Sequence, residues 1–139
     1  MLRIRLSAEL QNLEGFLSAL REYAEQQEFT AKRIQDIELA AEEALVNIFQ
    51  YAYPEGQQGE VSMEYGLDGE QNLLIRFRDQ GEPFDPTATA KPDLSSDVQD
   101  RAVGGLGLFF IHSMMDEVAF DREGDENVLS LRAGRTRKG

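Results

Sequence analysis

The chain has 139 residues, with 26 acidic against 14 basic side chains for a net charge of −12, and no cysteine. That length fits one ordinary domain, the missing cysteine excludes a disulfide framework or a thiolate metal site, and the negative charge without a basic aromatic platform argues against nucleic acid as a partner. No apolar run approaches the length of about 18 residues needed to span a membrane, and Met1-Leu2-Arg3-Ile4-Arg5 alternates charged and apolar side chains where a signal peptide has a continuous apolar block, so a cytoplasmic protein with no membrane contact is expected.

In chain order, Leu2, Ile4 and Leu6 alternate with Arg3 and Arg5, which predicts a strand with one buried face. Ser7 is then expected to cap a helix in which Leu10, Leu13, Phe16, Leu17, Leu20 and Tyr23 recur at helical spacing up to about Gln27. Thr30 caps a second helix to about Tyr51, with Pro54 and Gly56 as its stop. The period then changes. Glu60 to Leu67 and Asn72 to Arg78 alternate as two strands joined by Asp68-Gly69-Glu70-Gln71, a hairpin connection. Phe84 to Val103 is polar and broken by prolines, a long loop of the kind that serves as a lid or stays disordered. An apolar helical run from Leu108 to Met115 follows, then a second hairpin from Glu117 to Arg122 and Asn127 to Arg132, and a basic tail from Arg135 that is expected to fray. No linker or repeat divides the chain, so residues 1–139 read as one α+β domain, a mainly antiparallel sheet covered on one face by helices.

Three segments carry chemistry. On the second helix Ile34, Ile37, Ala41, Leu45 and Ile48 form the main apolar stripe, with Leu39 and Val46 on a second, roughly opposite face. Glu43 and Asn47 lie one turn apart beside that second face, while Glu42 points about 100° away toward solvent. The pair reads either as a surface carboxylate with a core amide bonded to backbone, or as a general base with an amide oxygen suited to Mg2+. Asp79 ends a strand and Gly81 leaves room for a flat ligand; the carboxylate either caps its turn or accepts from an exocyclic amine such as that of adenine. Gly104, Gly105 and Gly107 precede the Leu108 helix, where bare backbone N–H groups and the helix N-terminus suit a phosphate, or where the glycines serve only as a packing turn. The protein's overall field repels a triphosphate, so backbone donors, a divalent cation and nearby Lys91 and Arg101 must prevail within the Debye length of about 8 Å.

The ordered set Glu-x-x-x-Asn on a helix, Asp-x-Gly after a strand and Gly-Gly-x-Gly-Leu before a helix resembles the ATP-binding fold shared by gyrase, heat-shock chaperone ATPases, histidine kinases and mismatch-repair ATPases. Within that superfamily the chain is similar to the small anti-sigma factor serine/threonine kinases. The resemblance runs from about Leu2 to Leu131 and is most specific at Glu42 to Asn47, Arg78 to Asp85, Gly104 to Ile111 and Met115 to Val118.

The resemblance implies a two-layer, Bergerat-type ATP-binding fold with ATP and Mg2+ as cofactors. It implies that Glu43 is the catalytic base, Asn47 the Mg2+ ligand and Asp79 the adenine-reading carboxylate, with Gly81 passing under the base and Gly104, Gly105 and Gly107 lining the phosphates. Residues 85–103 would be the ATP lid, from which Arg101 reaches a phosphate. The function implied is a protein serine/threonine kinase that acts as an anti-sigma factor, phosphorylating an anti-sigma-factor antagonist protein and binding a sigma factor in the alternate state. Members of the family are often homodimers, a contact that the first strand and helix would supply here. Relatives commonly carry a histidine one turn after the asparagine, where this chain has Tyr51, so that histidine's role does not transfer. The rival readings are a nucleotide-gated binding module without phosphoryl transfer and a plain hydrolase. His112 reads as structural, since no helical hairpin presents it for phosphorylation, and Phe109-Phe110 and Met114-Met115 read as core packing.

Overall fold

A computed structural model describes residues 1–53, 58–83 and 111–136. Strand β1 (Leu2–Ser7) leads through a 3-10 turn (Leu10–Asn12) into helices α1 (Leu13–Gln26) and α2 (Ala31–Tyr51). Strands β2 (Glu60–Leu67) and β3 (Leu73–Asp79) follow, then β4 (Glu117–Glu123) and β5 (Glu126–Ala133). The five strands form one sheet in the order β1-β2-β3-β5-β4, antiparallel throughout, with the helices packed on one face.

The side-chain period of two decides which face that is. Along β3, Leu73, Ile75 and Phe77 are fully buried while Leu74, Arg76 and Arg78 are half-buried, so odd positions face the helices. Cross-strand register continues the layer: Met63 lies opposite Phe77, Phe77 opposite Leu129, and Ile75 opposite Leu131. Against it α2 sets Ile34, Ile37, Ala41, Leu45 and Ile48, all buried, and α1 adds Phe16, Leu17, Leu20 and Ala24. The main stripe is as the helical period predicts, with Ala40 and Ala44 beside it letting the helix approach the sheet closely. The other sheet face is charged, with Arg78 reaching Glu64 at 2.9 Å and Glu123 at 3.1 Å and Arg5 reaching Glu60 at 3.0 Å.

Three expectations change. Ser7 does not cap α1: it ends β1, its hydroxyl donates to Glu9 at 2.7 Å, and the helix begins only after the 3-10 turn. His112 is exposed and takes no part in the core, although Ile111 and Met115 on either side are buried. Arg135 does not fray; its guanidinium lies 4.1 Å over the Phe29 ring and also donates to the Gln27 carbonyl. The expected caps and turns otherwise form: Thr30 Oγ1 accepts from Arg33 N at 3.1 Å, Asp68 Oδ1 accepts from the amides of Glu70 and Asn72 in the β2–β3 hairpin, and Gly124 turns the β4–β5 hairpin at φ 61°. The stop at Pro54 and Gly56 and the core role of Phe109 and Phe110 lie outside the described residues.

One buried charge closes the helix layer. Arg33, 2% exposed at the start of α2, donates to the carbonyls of Met114 (2.7 Å) and Gly134 (2.8 Å) and pairs with Asp36 (3.2 Å) and Asp116 (3.5 Å). Asp116 also accepts from the Gly134 amide, so α2, the segment leading into β4 and the end of β5 meet at one guanidinium. Replacing Arg33 with methionine strands those carbonyls and carboxylates together, and Arg33→Met is expected to cost about 2–3 kcal/mol. Urea unfolding followed by circular dichroism checks this, with a lowered midpoint and an unchanged slope as the expected result.

Candidate functional site

The helix α2 carries two of the expected residues, and its period explains their environments. Asn47 lies 100° from Ile48 and shares its buried flank, at 2% exposure, whereas Glu43 sits one turn earlier and is half-buried. Asn47 Nδ2 donates to the Glu43 carbonyl at 2.9 Å, which fixes the amide, because the flipped orientation would set two oxygens against each other. Oδ1 is then a buried acceptor to which no described residue donates. Such an atom costs free energy unless a ligand completes it. A neutral oxygen acceptor beside a carboxylate suits a hard divalent cation, so the residues present fit Mg2+. The Glu43 carboxyl is pushed above its ordinary range, first by burial and second by repulsion from the neighbouring Glu42.

Asp79 is the last residue of β3 and keeps the phase of Phe77, so its carboxylate faces the helix layer at 5% exposure instead of projecting into the loop. Oδ1 accepts from Gly81 N at 2.9 Å and from Asn127 Nδ2 at 2.9 Å, and among the described residues none donates to Oδ2. Asp79 therefore caps its turn with one oxygen, the first of the two alternatives read for it, while the other oxygen has no donor among the described residues. Burial pushes its carboxyl up, against the opposing pull of Asn127, the Gly81 amide and Arg122.

Gly81 is required by packing. A Cβ there would lie 2.0 Å from the Ala52 carbonyl oxygen, and Glu82 N donates to that same oxygen at 2.8 Å. The turn after β3 is thus pressed on the end of α2. Tyr53 fastens the junction further, its hydroxyl donating to the Glu60 carbonyl at 2.6 Å and accepting from Gln80 N at 2.9 Å. With a rise of about 1.5 Å per residue, Asn47 and Glu43 stand roughly 8 Å and 14 Å along α2 from this junction. The three polar residues are therefore spaced along one helix axis, Asp79 at one end and Glu43 at the other.

Arg101, Gly104, Gly105, Gly107 and the expected lid at residues 85–103 lie outside the described residues, as does Lys91. Two residues that the sequence reading assigned no role belong to the site. Asn127, 4% exposed, holds Asp79, and Arg122 Nη1 donates to both Asn127 Oδ1 and the Gly81 carbonyl at 3.0 Å. The signal for Asn127 was its phase: it alternates with Leu129 and Leu131, so a polar side chain was due on the buried face.

The family of the histidine kinase-like ATPase domain matches residues 6–133. Among curated proteins the chain is similar to serine-protein kinases RsbW, 37% identical over 95 residues to that of Bacillus subtilis and 34% over 94 residues to that of Listeria monocytogenes. Those matches span 65% of this chain and 58% and 59% of the relatives, so it covers less than two thirds of their length. Solved structures of the same fold include the SiaB-SiaC complex of Pseudomonas aeruginosa, with a TM-score of 0.64 at 20% identity over 96% of this chain and 88% of that one. The RsbU and RsbW domains of a Mycobacterium tuberculosis protein give a TM-score of 0.63 at 15% identity over 96% of this chain and 32% of that one. No described helix is long and apolar enough to cross a membrane.

A carboxyl whose pKa rises on folding holds its proton longer in the folded chain, so stability falls as pH rises from the ordinary glutamate range through the raised value. Glu43 in its ionised form is therefore a cost to the fold at neutral pH. Glu43→Gln is expected to raise the melting temperature at pH 7 and to lose that advantage below about pH 4, where both proteins carry a neutral side chain. Thermal unfolding of the two proteins across that range measures it.

Proposed function

The chain belongs to the histidine kinase-like ATPase family, and from that premise we propose that it binds Mg-ATP along α2 and transfers the γ-phosphate to a serine or threonine hydroxyl of a small partner protein. The observation that carries the reading is the buried, unpaired Asn47 Oδ1 one turn from a half-buried carboxylate whose pKa is raised. A site that keeps such a cost in place without a ligand is explained by the ligand.

In this reading Asp79 Oδ2 accepts from the adenine amine and orients the nucleotide, while Asn47 Oδ1 holds Mg2+. Bound there, Mg2+ neutralises charge on the phosphate oxygens. Glu43 accepts the proton of the attacking hydroxyl as its oxygen bonds to the γ-phosphorus and the bridge to the β-phosphate breaks, releasing ADP. The raised pKa suits a base, since it makes the carboxylate more basic than an exposed glutamate. Gly104, Gly105 and Gly107 line the phosphates, and residues 85–103 close over them as a lid from which Arg101 reaches a phosphate. Gly81 passes beneath the adenine as well as against Ala52.

The similarity to RsbW kinases supports an anti-sigma factor in a partner-switching pathway, with an anti-sigma-factor antagonist as the phosphorylated partner and a sigma factor as the alternate one. A homodimer through β1 and α1 belongs to the same proposal. Tyr51, 43% exposed, stands where the resemblance implies that relatives commonly carry histidine, and on that departure rests the second reading, a nucleotide-gated binding module without transfer.

Glu43→Gln keeps size and hydrogen-bonding reach but removes basicity, so Mg-ATP binding is expected to hold while phosphate transfer falls by about two orders of magnitude or more. Asn47→Ala is expected to weaken Mg2+-dependent binding and transfer together. Radiolabelled transfer to a cognate antagonist, with binding measured in parallel, separates the two. Transfer by Glu43→Gln at the wild-type rate overturns the catalytic assignment, and a wild type that binds but transfers to no cognate partner leaves the gated module.

A further inference from the structure

One row of side chains crosses the helix-facing side of the sheet in register: Val61 on β2, Asp79 on β3, Asn127 on β5 and Arg122 on β4. Its polar end is a chain of directed hydrogen bonds. Arg122 Nη1 donates at 3.0 Å to Asn127 Oδ1 and at 3.0 Å to the Gly81 carbonyl. Asn127 Nδ2 donates at 2.9 Å to Asp79 Oδ1 and at 2.7 Å to the Glu82 carbonyl. Arg122 thereby locks the amide, because a flipped Asn127 would turn its NH2 toward a cationic donor and its oxygen toward a carboxylate and a carbonyl.

The consequence falls on Asp79. A carboxylate oxygen has two lone-pair directions, and those of Oδ1 are taken by Asn127 Nδ2 and the Gly81 amide at 2.9 Å each. What remains toward a ligand is Oδ2 alone. The two purines differ in what they need from a carboxylate. Adenine offers an exocyclic amine next to a ring nitrogen that only accepts, a single donor that one oxygen satisfies. Guanine offers two adjacent donors, the ring N–H and the exocyclic amine, and matches a carboxylate with both oxygens open.

We propose that Arg122 and Asn127 are positioning residues whose relay leaves Asp79 one usable oxygen, and that this sets a preference for adenine over guanine nucleotides; the inference rests on reading the cleft as a nucleotide site. Neither residue is given a contact with the reacting phosphate. Removing the Asn127 donor reopens half of Oδ1, whereas removing Arg122 leaves the amide held only through its Nδ2 by Asp79 and the Glu82 carbonyl, with Asn127 Oδ1 losing its Arg122 donor, and so loosens that donor without turning it away. Arg122 on the edge strand β4 is half-buried, so its variants disturb the core less than those of Asn127.

The test is the ratio of Kd for Mg-GTP to Kd for Mg-ATP, measured by calorimetry on the full chain for wild type, Asn127→Ala, Arg122→Met and Arg122→Lys. Wild type is expected to favour ATP. Asn127→Ala is expected to cut the ratio by about tenfold or more, the scale of one good pair of base contacts, and Arg122→Met to cut it by less, about threefold to tenfold, because the donor stays on its two acceptors but is less firmly held, while Arg122→Lys keeps it because an ammonium can donate to both oxygens. A role in folding alone weakens both nucleotides in parallel and leaves the ratio unchanged. A ratio within about twofold of wild type in both Asn127→Ala and Arg122→Met therefore overturns the relay while leaving the nucleotide site intact. A wild type that binds neither nucleotide overturns the underlying reading of the cleft, and the relay with it.

Discussion

The contact between the end of α2 and the turn after β3 is the constraint on which the site depends. Ala52 and Gly81 approach so closely that no Cβ fits between them, and the Glu82 amide closes the approach on the Ala52 carbonyl. Because a helix is stiff over five to ten residues, fixing its end on the Asp79 turn also fixes Asn47 and Glu43 relative to Asp79. Tyr53 strengthens the junction from the other side, spanning the start of β2 and the end of β3 with one hydroxyl. At the opposite end of α2, Arg33 ties the helix to the Met114 and Gly134 carbonyls. The helix is thus held at both ends, and the polar residues lie on the span between.

Polar atoms on that span sit where apolar ones would be cheaper. Asn47 Oδ1 is buried without a donor among the described residues, Asp79 is 5% exposed with its carboxyl pushed up, and Glu43 is pushed up as well. Each lowers the stability of the chain without ligand, and in the proposed reading the substrates would relieve each in turn: the magnesium nucleotide a cation for the amide oxygen and an amine for Asp79, and the attacking hydroxyl of the partner a proton for Glu43. A fold that only had to be stable would fill these places with leucine and valine, as it does at Val61 in the same row as Asp79.

The sequence made the scaffold legible wherever one period held without interruption. The alternation of β3 and the stripe of Ile34, Ile37, Ala41, Leu45 and Ile48 lie where the pattern puts them, because burial of one face imposes that period directly. It failed where a local competitor acted. Ser7 looked like a cap, but the chain continues β1 through it and enters α1 by a 3-10 turn, a choice set by pairing of Ser7 with Glu60 across the sheet. Leu39 and Val46 form the second apolar face that the helical period predicts, and it stays open to solvent at Leu39 because the sheet lies on the other side of α2. In the site, Glu43, Asn47 and Asp79 were legible as residue types at a spacing. Asn127 showed only as a polar residue in phase with the buried face of β5, and Arg122 not at all, because their role comes from register across β3, β5 and β4, which sets Asn127 against Asp79, 48 positions away. Gly81 was legible as a glycine with room beside it, but what requires it is the backbone of Ala52.

The central claim is that these costs are held for an adenine nucleotide, and calorimetric titration of the purified chain with Mg-ATP tests it most directly. The account predicts saturable heat with a micromolar to sub-millimolar Kd that requires Mg2+, and an Asp79→Asn protein, still folded, that loses affinity for ATP far more than for inorganic triphosphate. No heat from the wild type with millimolar Mg-ATP, or equal loss of both ligands in Asp79→Asn, would contradict it.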